Sequence, residues 1–537
     1  MNSVTPRNSR SRRKSYLQPV IYSLLLLGGI ITGIFINPQH KTRFYQILDI
    51  VKLDYVEKPE PVELEEFAIK GMLSQLDPHS TFIPKELVDY TQRQVKGNLF
   101  TIGADFILYA DTPVVISVPN QSSAFVSGLK EGDRLLSVNS KNLTNQKYEY
   151  AKVAALLSGK QNTFLTLKVL RKKNQRVFET QVKLVKQELK GVDVFYMLDR
   201  YTGLIKINYF GANTHNDFKL ALQKLSEKGA KNIVIDLRNN GGGLLRESIK
   251  IANEFLNKGD LISYTKGRKR KTEKFISNGN GIFKTGRVLI LTNTNTASAS
   301  EILSGALQDN DRALVIGTRT FGKGLVQEPY LLPDGSFLRL TVAKYYTPSG
   351  RSIQKPYTKN VEEYKLEIYN RNKIQIAEDL EKKEYFSLIK NRKLHSGGGI
   401  WPDMNLSDSL NTKKIINSAY PNIFASKLFQ IYILDFCKNE VLLINKKYNN
   451  PVSFNKNYQI SNSLFLSFKK FVKTQRSSAF FKQNSEVETD KLLKQYLKAY
   501  LAQQCFSEAG YSLVINTQEG VFTKIQLGLF LYDKHLK

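Results

Sequence analysis

The sequence predicts a multidomain α/β chain: a mostly parallel α/β core, a small β-domain ahead of it, and helical segments at both ends. Three observations carry this prediction. Between 188 and 355, apolar strand-like runs alternate with helix-spaced segments, the signature of βαβ units (Leu204-Ile205-Lys206-Ile207-Asn208-Tyr209-Phe210, Asn232-Ile233-Val234-Ile235-Asp236-Leu237, Val288-Leu289-Ile290-Leu291-Thr292). Residues 93–187 switch to short strand-like runs separated by turn residues. Residues 41–92 and 412–537 carry helical spacing, and 537 residues leave room for three or four domains.

The N-terminal residues 1–16 form a basic tail containing Arg7, Arg10, Arg12, Arg13 and Lys14. The uncharged stretch 17–36 follows and is long enough to cross a hydrocarbon core. The positive-inside rule would hold the tail in the cytoplasm and export the rest. This predicts a single-pass bacterial inner-membrane protein with its working part in the periplasm. The alternative is secretion to the periplasm after signal cleavage, but no Ala-x-Ala-like site follows Ile34-Phe35-Ile36-Asn37-Pro38, which favours an uncleaved anchor. The formal net charge of +31 raises a nucleic-acid or anionic-membrane reading. Lysines spread along the whole chain argue against nucleic acid, and the run Lys266-Gly267-Arg268-Lys269-Arg270-Lys271 reads as a solvated loop. Five scattered histidines show no metal-ligand spacing, so no metal is expected. Cys437 and Cys505 lie in apolar helical contexts and read as buried thiols, with pairing left open.

The elements follow in order. In 41–92, Phe67, Ile69, Met72, Leu73 and Leu76 recur at helical spacing until Asp77-Pro78-His79-Ser80 stops the helix, with His79 as a turn or capping residue. In 93–187, strand-like runs bracket Ser122-Ser123-Ala124-Phe125-Val126-Ser127-Gly128-Leu129-Lys130-Glu131-Gly132-Asp133-Arg134-Leu135-Leu136-Ser137-Val138-Asn139. That segment resembles a PDZ domain, with its short helix, Gly-Leu, Gly-Asp turn and buried strand. The resemblance implies capture of a chain terminus by strand addition, with the carboxylate held by Phe100, Thr101, Ile102 and Gly103. Only Gly103 supplies glycine there, fewer than such domains usually carry. Residues 188–355 form the core, 356–411 a linker that completes it, and 412–537 a helical extension with no legible chemistry.

Candidate chemistry begins at Thr296-Ala297-Ser298-Ala299-Ser300-Glu301. Turn and cap residues precede helical spacing at Ile302, Leu303, Ala306 and Leu307, so Ser298 falls at a helix N-terminus, where N–H groups and the dipole favour developing negative charge. Taken alone, the serine is better read as a cap. Lys323 follows 25 positions later (323 − 298), flanked by Gly322 and Gly324, and a general-base lysine must be kept neutral by burial. Gln327, four positions on (327 − 323), shares a strand face with Lys323 and would orient its amine. The third piece is Asn239-Asn240-Gly241-Gly242-Gly243 after a buried strand. It lacks the spacing of a P-loop or a dinucleotide site. Exposed glycine amides there can form an oxyanion hole, with the Gly241 or Gly242 N–H as one donor and Ala299 N–H as the other.

Four ordered motifs together resemble a C-terminal processing peptidase, a tail-specific Ser-Lys protease. They are Asp236-Leu237-Arg238-Asn239-Asn240-Gly241-Gly242-Gly243, Ser298-Ala299-Ser300-Glu301, Phe321-Gly322-Lys323-Gly324-Leu325-Val326-Gln327, and Pro333-Asp334-Gly335-Ser336 with Tyr346-Thr347-Pro348-Ser349-Gly350-Arg351. The match covers roughly 40–405. The resemblance implies a ClpP/crotonase-like core with an inserted PDZ domain, Ser298 as nucleophile rather than Ser300, Lys323 as general base, Gln327 as its orienter and Asp309 as structural support. It further implies no cofactor, exported protein or peptide substrates with free C-termini, and room for a homo-oligomer or an adaptor. The competing reading is a membrane-anchored PDZ scaffold without catalysis, which intact Ser298, Lys323 and Gln327 oppose.

Overall fold

The structure is a computed structural model that describes residues 19–28, 43–96, 99–119, 121–171, 175–186, 190–357, 363–364, 367, 384–405, 415–420, 423–424, 426–474, 487–518 and 520–536. The chain divides into two compact units, Met1–Met72 and Leu73–Lys537.

The first unit is helical. A helix over 19–28 exposes Leu24, Leu25, Leu26 and Leu27. Helix α1 (Arg43–Asp54) buries no residue, and a Lys52–Glu65 ion pair at 2.9 Å joins it to α2 (Pro61–Ser74). The basic tail 1–16 and all of the expected anchor except 19–28 lie outside the described residues. No described helix is long and apolar enough to cross a membrane.

The second unit opens with the Asp77 turn. Asp77 Oδ1 accepts the His79 and Ser80 N–H groups at 2.8 Å, and Oδ2 accepts the Ser80 hydroxyl. Strand β1 (Thr81–Ile83) follows and then α3 (Lys85–Lys96). The expectation of a wholly helical 41–92 therefore gives way at β1, which pairs with a strand of the core more than 250 positions later.

The PDZ-like β-domain is an antiparallel sheet in the order β3-β4-β5-β6-β7 (Asp105–Tyr109, Thr112–Ser117, Arg134–Val138, Phe164–Arg171, Arg176–Lys183). A short β2 (Phe100–Thr101) precedes it, and helices α4 (Ser123–Val126) and α5 (Tyr150–Leu156) complete it. Alternation in β6 sends Leu165, Leu167 and Val169 inward while Phe164 and Lys168 face out. Strand β3 is an edge strand of this sheet.

The core sheet runs β8-β9-β10-β13-β14-β17 (Val194–Met197, Thr202–Lys206, Asn232–Asp236, Arg287–Thr292, Leu314–Gly317, Met404–Asn405). β8 is antiparallel to β9 and the other pairings are parallel. Period-two alternation divides its apolar residues between two faces. Ile205, Ile233, Ile235, Val288, Ile290 and Val315 pack under α6 (Thr214–Glu227), α7 (Leu245–Asn253) and α8 (Ala299–Asp309). Leu204, Val234, Leu289, Leu291, Leu314 and Ile316 face the opposite side. A second, antiparallel sheet contains β1, β11 (Leu261–Lys266), β12 (Glu273–Ile276), β15 (Leu325–Leu331) and β16 (Phe337–Tyr346). The basic run 266–271 is the exposed connection between β11 and β12, as a solvated loop should be.

The extension is helical as expected: α9 (Leu428–Phe436), α10 (Lys438–Lys447), α11 (Pro451–Asn457), α12 (Asn462–Thr474), α13 (Val487–Gln518) and α14 (Val521–His535). Cys437 is buried and Cys505 partly so; both are free thiols, and burial raises each to about 12. About half of the linker 356–411 lies outside the described residues, but strand β17 within it extends the core sheet, pairing Met404 with Ile316.

Candidate active site

Parallel strands in register bring their carboxyl ends to one edge. Asp236 lies beside Leu291, and Leu291 and Thr292 lie beside Ile316 and Gly317. Loops 237–244, 293–298 and 318–324 therefore leave the sheet together, where open α/β sheets hold their sites. They are stitched to one another. Thr296 donates its hydroxyl to the Leu237 carbonyl at 2.9 Å, Ala297 N–H bonds the Asn240 carbonyl at 3.0 Å, and Phe321 N–H bonds the Thr296 carbonyl at 2.9 Å.

Ser298 stands at the N-cap of α8 with φ 57° and ψ −117°. That left-handed conformation is costly for a serine and survives only where its surroundings enforce it. Gly242, at φ +103°, is pressed against it: a Cβ there would lie 2.7 Å from Ser298 Cβ. The other enforcer is Glu301, whose carboxylate is fully buried. Its Oε2 accepts Ser298 N–H and Lys323 N–H, both at 2.8 Å. Its Oε1 accepts Gly322 N–H at 2.7 Å and the Thr320 hydroxyl at 2.6 Å. Burial pushes the Glu301 carboxyl up from its ordinary value, and these four donors pull it back toward the charged form. One side chain thus ties the serine backbone to the lysine backbone.

Lys323 is half-buried on the loop before β15. Burial, and after it the Arg339 guanidinium, holds its ammonium below the ordinary lysine value, while Glu301 and Asp77 pull upward. The Ser298 hydroxyl and the Lys323 amine are not hydrogen-bonded to each other in this structure. His79 lies against this region, its ring edge-on to Phe321 and its Nε2 2.8 Å from the Tyr364 hydroxyl. Burial and then the charge of Lys323 push His79 down to about 4, so its imidazole is neutral at neutral pH.

The structure treats the other predicted residues unequally. Gln327 donates its amide to the His79 carbonyl rather than meeting Lys323. Lys323 lies on the loop before β15 rather than on the strand, so the even spacing to Gln327 does not put the two on one strand face. Among the three oxyanion candidates, the Gly242 N–H is occupied by Asn240 Oδ1 at 2.9 Å. The Gly241 and Ala299 N–H groups have no acceptor among the described residues. Ser300 is fully buried and gives its hydroxyl to the Asn240 carbonyl at 3.1 Å. Asp309 lies at the far end of α8, paired with Arg351 at 2.6 Å and accepting Ser349 N–H at 3.0 Å, which holds the 347–351 turn.

In the β-domain, Phe100 and Thr101 sit in β2, paired on one side with Val185–Lys186 and on the other with Ser158–Gly159. Ile102 is buried in the domain core, and Gly103 N–H goes to the Thr101 hydroxyl at 3.3 Å. The ring of Phe106 on the edge strand β3 stacks on Tyr150 of α5 at 4.9 Å. Sequence reasoning missed Glu301 as a hub, although Ser298-x-x-Glu301 has the spacing in which a carboxylate reaches back to an N-cap amide. It missed Thr320, read Asn240 only as part of the glycine turn, and read Asp77 only as a helix stop, because their spacing carries no comparable signal.

Residues 201–362 match peptidase family S41, residues 101–182 match the PDZ domain, and residues 419–507 match a family of unknown function. The chain is 34% identical over 351 residues to a probable CtpA-like serine protease of Staphylococcus aureus strain COL, covering 62% of this chain and 69% of that one. It is 34% identical over 317 residues to a carboxy-terminal-processing protease of Bartonella bacilliformis, covering 58% and 72%. Among solved structures, the photosystem II D1 C-terminal processing protease aligns at 26% identity and a TM-score of 0.35, over 58% of this chain and 89% of that one. The chain belongs to peptidase family S41 and is a serine-type protease of the carboxy-terminal-processing kind, with a PDZ domain.

Proposed function

We propose that Ser298 is the nucleophile and Lys323 the general base of a dyad that cleaves exported proteins near free C-termini. The observation that supports this most directly is the Glu301 carboxylate, bonded at once to Ser298 N–H and Lys323 N–H. A strained serine at a helix N-terminus and a desolvated lysine, fixed to one buried anchor, suit nucleophilic attack better than capping. Lys323, neutral once it has lost its proton to solvent, takes the Ser298 hydroxyl proton, and the alkoxide adds to the scissile carbonyl. The oxyanion rests on the Ala299 and Gly241 amides, the two without acceptors among the described residues. Lys323 then protonates the leaving amine, and water releases the acyl group with no cofactor. Hydroxyl and amine are unbonded at rest, so the reacting form must bring them together; apo sites are often loose in this way. Gln327 acts by fixing the His79 backbone, whose imidazole feels the Lys323 charge.

The substrate tail would add to edge strand β3, next to the Phe106–Tyr150 stack, with its carboxylate at the Phe100–Gly103 loop. The uncharged segment 17–36 would anchor the chain with its catalytic part in the periplasm. The test is cleavage of an unstructured protein offered with a free or an amidated C-terminus. Ser298→Ala and Lys323→Ala should each lower the rate by at least about a thousandfold while the variants keep the wild-type melting temperature. Full activity in either variant removes the dyad, and equal cleavage of both substrates removes tail recognition.

A further inference from the structure

The helical extension touches both working domains. Ile107 and Val114, on the face of the PDZ sheet turned away from that domain's own core, pack with Tyr432, Phe429 and Leu497 of the extension in one apolar cluster. Arg134 faces Asp435 at 3.7 Å, and Gln504 donates to Glu131 at 2.7 Å. At the other end, Val521, Ile525, Leu529 and Tyr532 of α14 cover Leu204, Val234, Leu289 and Ile316 of the core sheet. Between the two ends, α13 is interrupted at Phe506 and Ser507, and Ser507 takes φ 59° and ψ −163°. That conformation is nearly confined to glycine, so a strained joint separates two helical segments. The match to the family of unknown function also stops at this joint, covering 419–507.

The segment beyond the joint reaches the site. Glu508 pairs with Lys206 at 3.4 Å. Asn516 is 1% exposed; its amide nitrogen lies 3.3 Å from the Tyr196 hydroxyl, and its Oδ1 accepts a hydrogen bond from Arg238 Nη2. Arg238 is the last residue before the Asn239–Gly243 loop. It holds Asp236 through Nη2 at 2.6 Å, through Nε at 2.9 Å and through its backbone N–H at 3.0 Å. Asp236 ends β10; burial pushes its carboxyl up, but the Arg238 charge and hydrogen bonds together with the Lys206 charge hold it below the ordinary value. The root of the oxyanion loop is therefore fixed from one side by the strand and from the other by the extension.

We propose that the extension is a clamp that joins the PDZ domain to the protease core, and that Asn516 is its positioning residue, setting the oxyanion loop through Arg238. The consequence for rate rests on Gly241 serving as an oxyanion donor. Two readouts on the full-length protein keep the two ideas separable: amide hydrogen exchange over 238–243, and kcat and KM on an unstructured polypeptide. Asn516→Ala should raise exchange in 238–243 about tenfold while β10 stays protected, and lower kcat about tenfold with KM nearly unchanged. Asn516→Asp, which keeps the acceptor for Arg238, should restore both. Faster exchange with unchanged kcat would support the clamp and remove Gly241 from the oxyanion hole. Wild-type exchange in 238–243, or faster exchange spread evenly over the chain with a lowered melting temperature, would overturn the proposal.

Discussion

A single carboxylate organises the residue-scale chemistry. Glu301 accepts four hydrogen bonds in a site closed to water, and each bond to a charged acceptor is worth about 1.5–3 kcal/mol. Glu301→Gln replaces one acceptor oxygen by a donor that faces N–H groups. It should lower kcat about a hundredfold and stability by about 2–4 kcal/mol, read by cleavage rate and denaturant midpoint. Lys323 gives a pH prediction of definite sign. It must be neutral to act, so kcat/KM rises with pH through its lowered value. Arg339 depresses that value, so Arg339→Gln should let it rise and move the acidic limb of the profile to higher pH; a limb that stays put refutes the assignment. Keeping this lysine's charge in a desolvated place also costs stability, so Lys323→Met should be more stable than wild type, with the advantage fading as pH rises toward the unfolded lysine's range. Ser298 and Lys323 were legible because their chemistry depends on residue type and order in the chain. Glu301 was equally visible at its capping spacing but reads as a helix detail until the lysine loop is seen folded onto it.

At the scale of elements, the strand–helix alternation carried the core sheet and the position of its loops. Uniformly apolar runs such as Ile233–Ile235 mark strands covered on both faces, and that signal is local. What the sequence could not display was non-local pairing and its irregularities. Strand β1 is three residues long and exists because β16 offers it a partner. Opposite Val326 and Gln327, β16 carries one extra residue, Val342, and Gln327 meets the His79 carbonyl, neither of which a local periodicity reports. The glycine turn was read as a supply of amides. Its second glycine instead serves a steric role, since only a residue without Cβ fits beside Ser298. Gly242→Ala should therefore abolish cleavage while costing only about 1–3 kcal/mol, the usual scale for a forced left-handed residue. A variant with normal turnover would show that the contact with Ser298 does not matter.

For the whole molecule, the extension joins parts that the sequence presents as separate. Its helices were legible from spacing, but their purpose was not, because the faces they cover belong to strands hundreds of positions earlier. Removing residues 415–536 would bare apolar side chains on both the PDZ sheet and the core sheet. Exposed patches of that kind drive association, so the truncated chain should be recovered as aggregates, whereas a soluble monomer of normal activity would show the extension to be dispensable. Gly528 tests the same packing more gently. A Cβ there would lie 2.3 Å from Ile316 Cδ1, so Gly528→Leu should lift α14 from the sheet and lower the melting temperature by several degrees. The placement of α14 also sets the order in which the enzyme comes into being. It covers strands that end 116 positions before it begins (521 − 405). During synthesis the core sheet therefore stays half-clothed until α14 emerges, and a nascent chain cannot complete the fold that cuts proteins before its last helix is made.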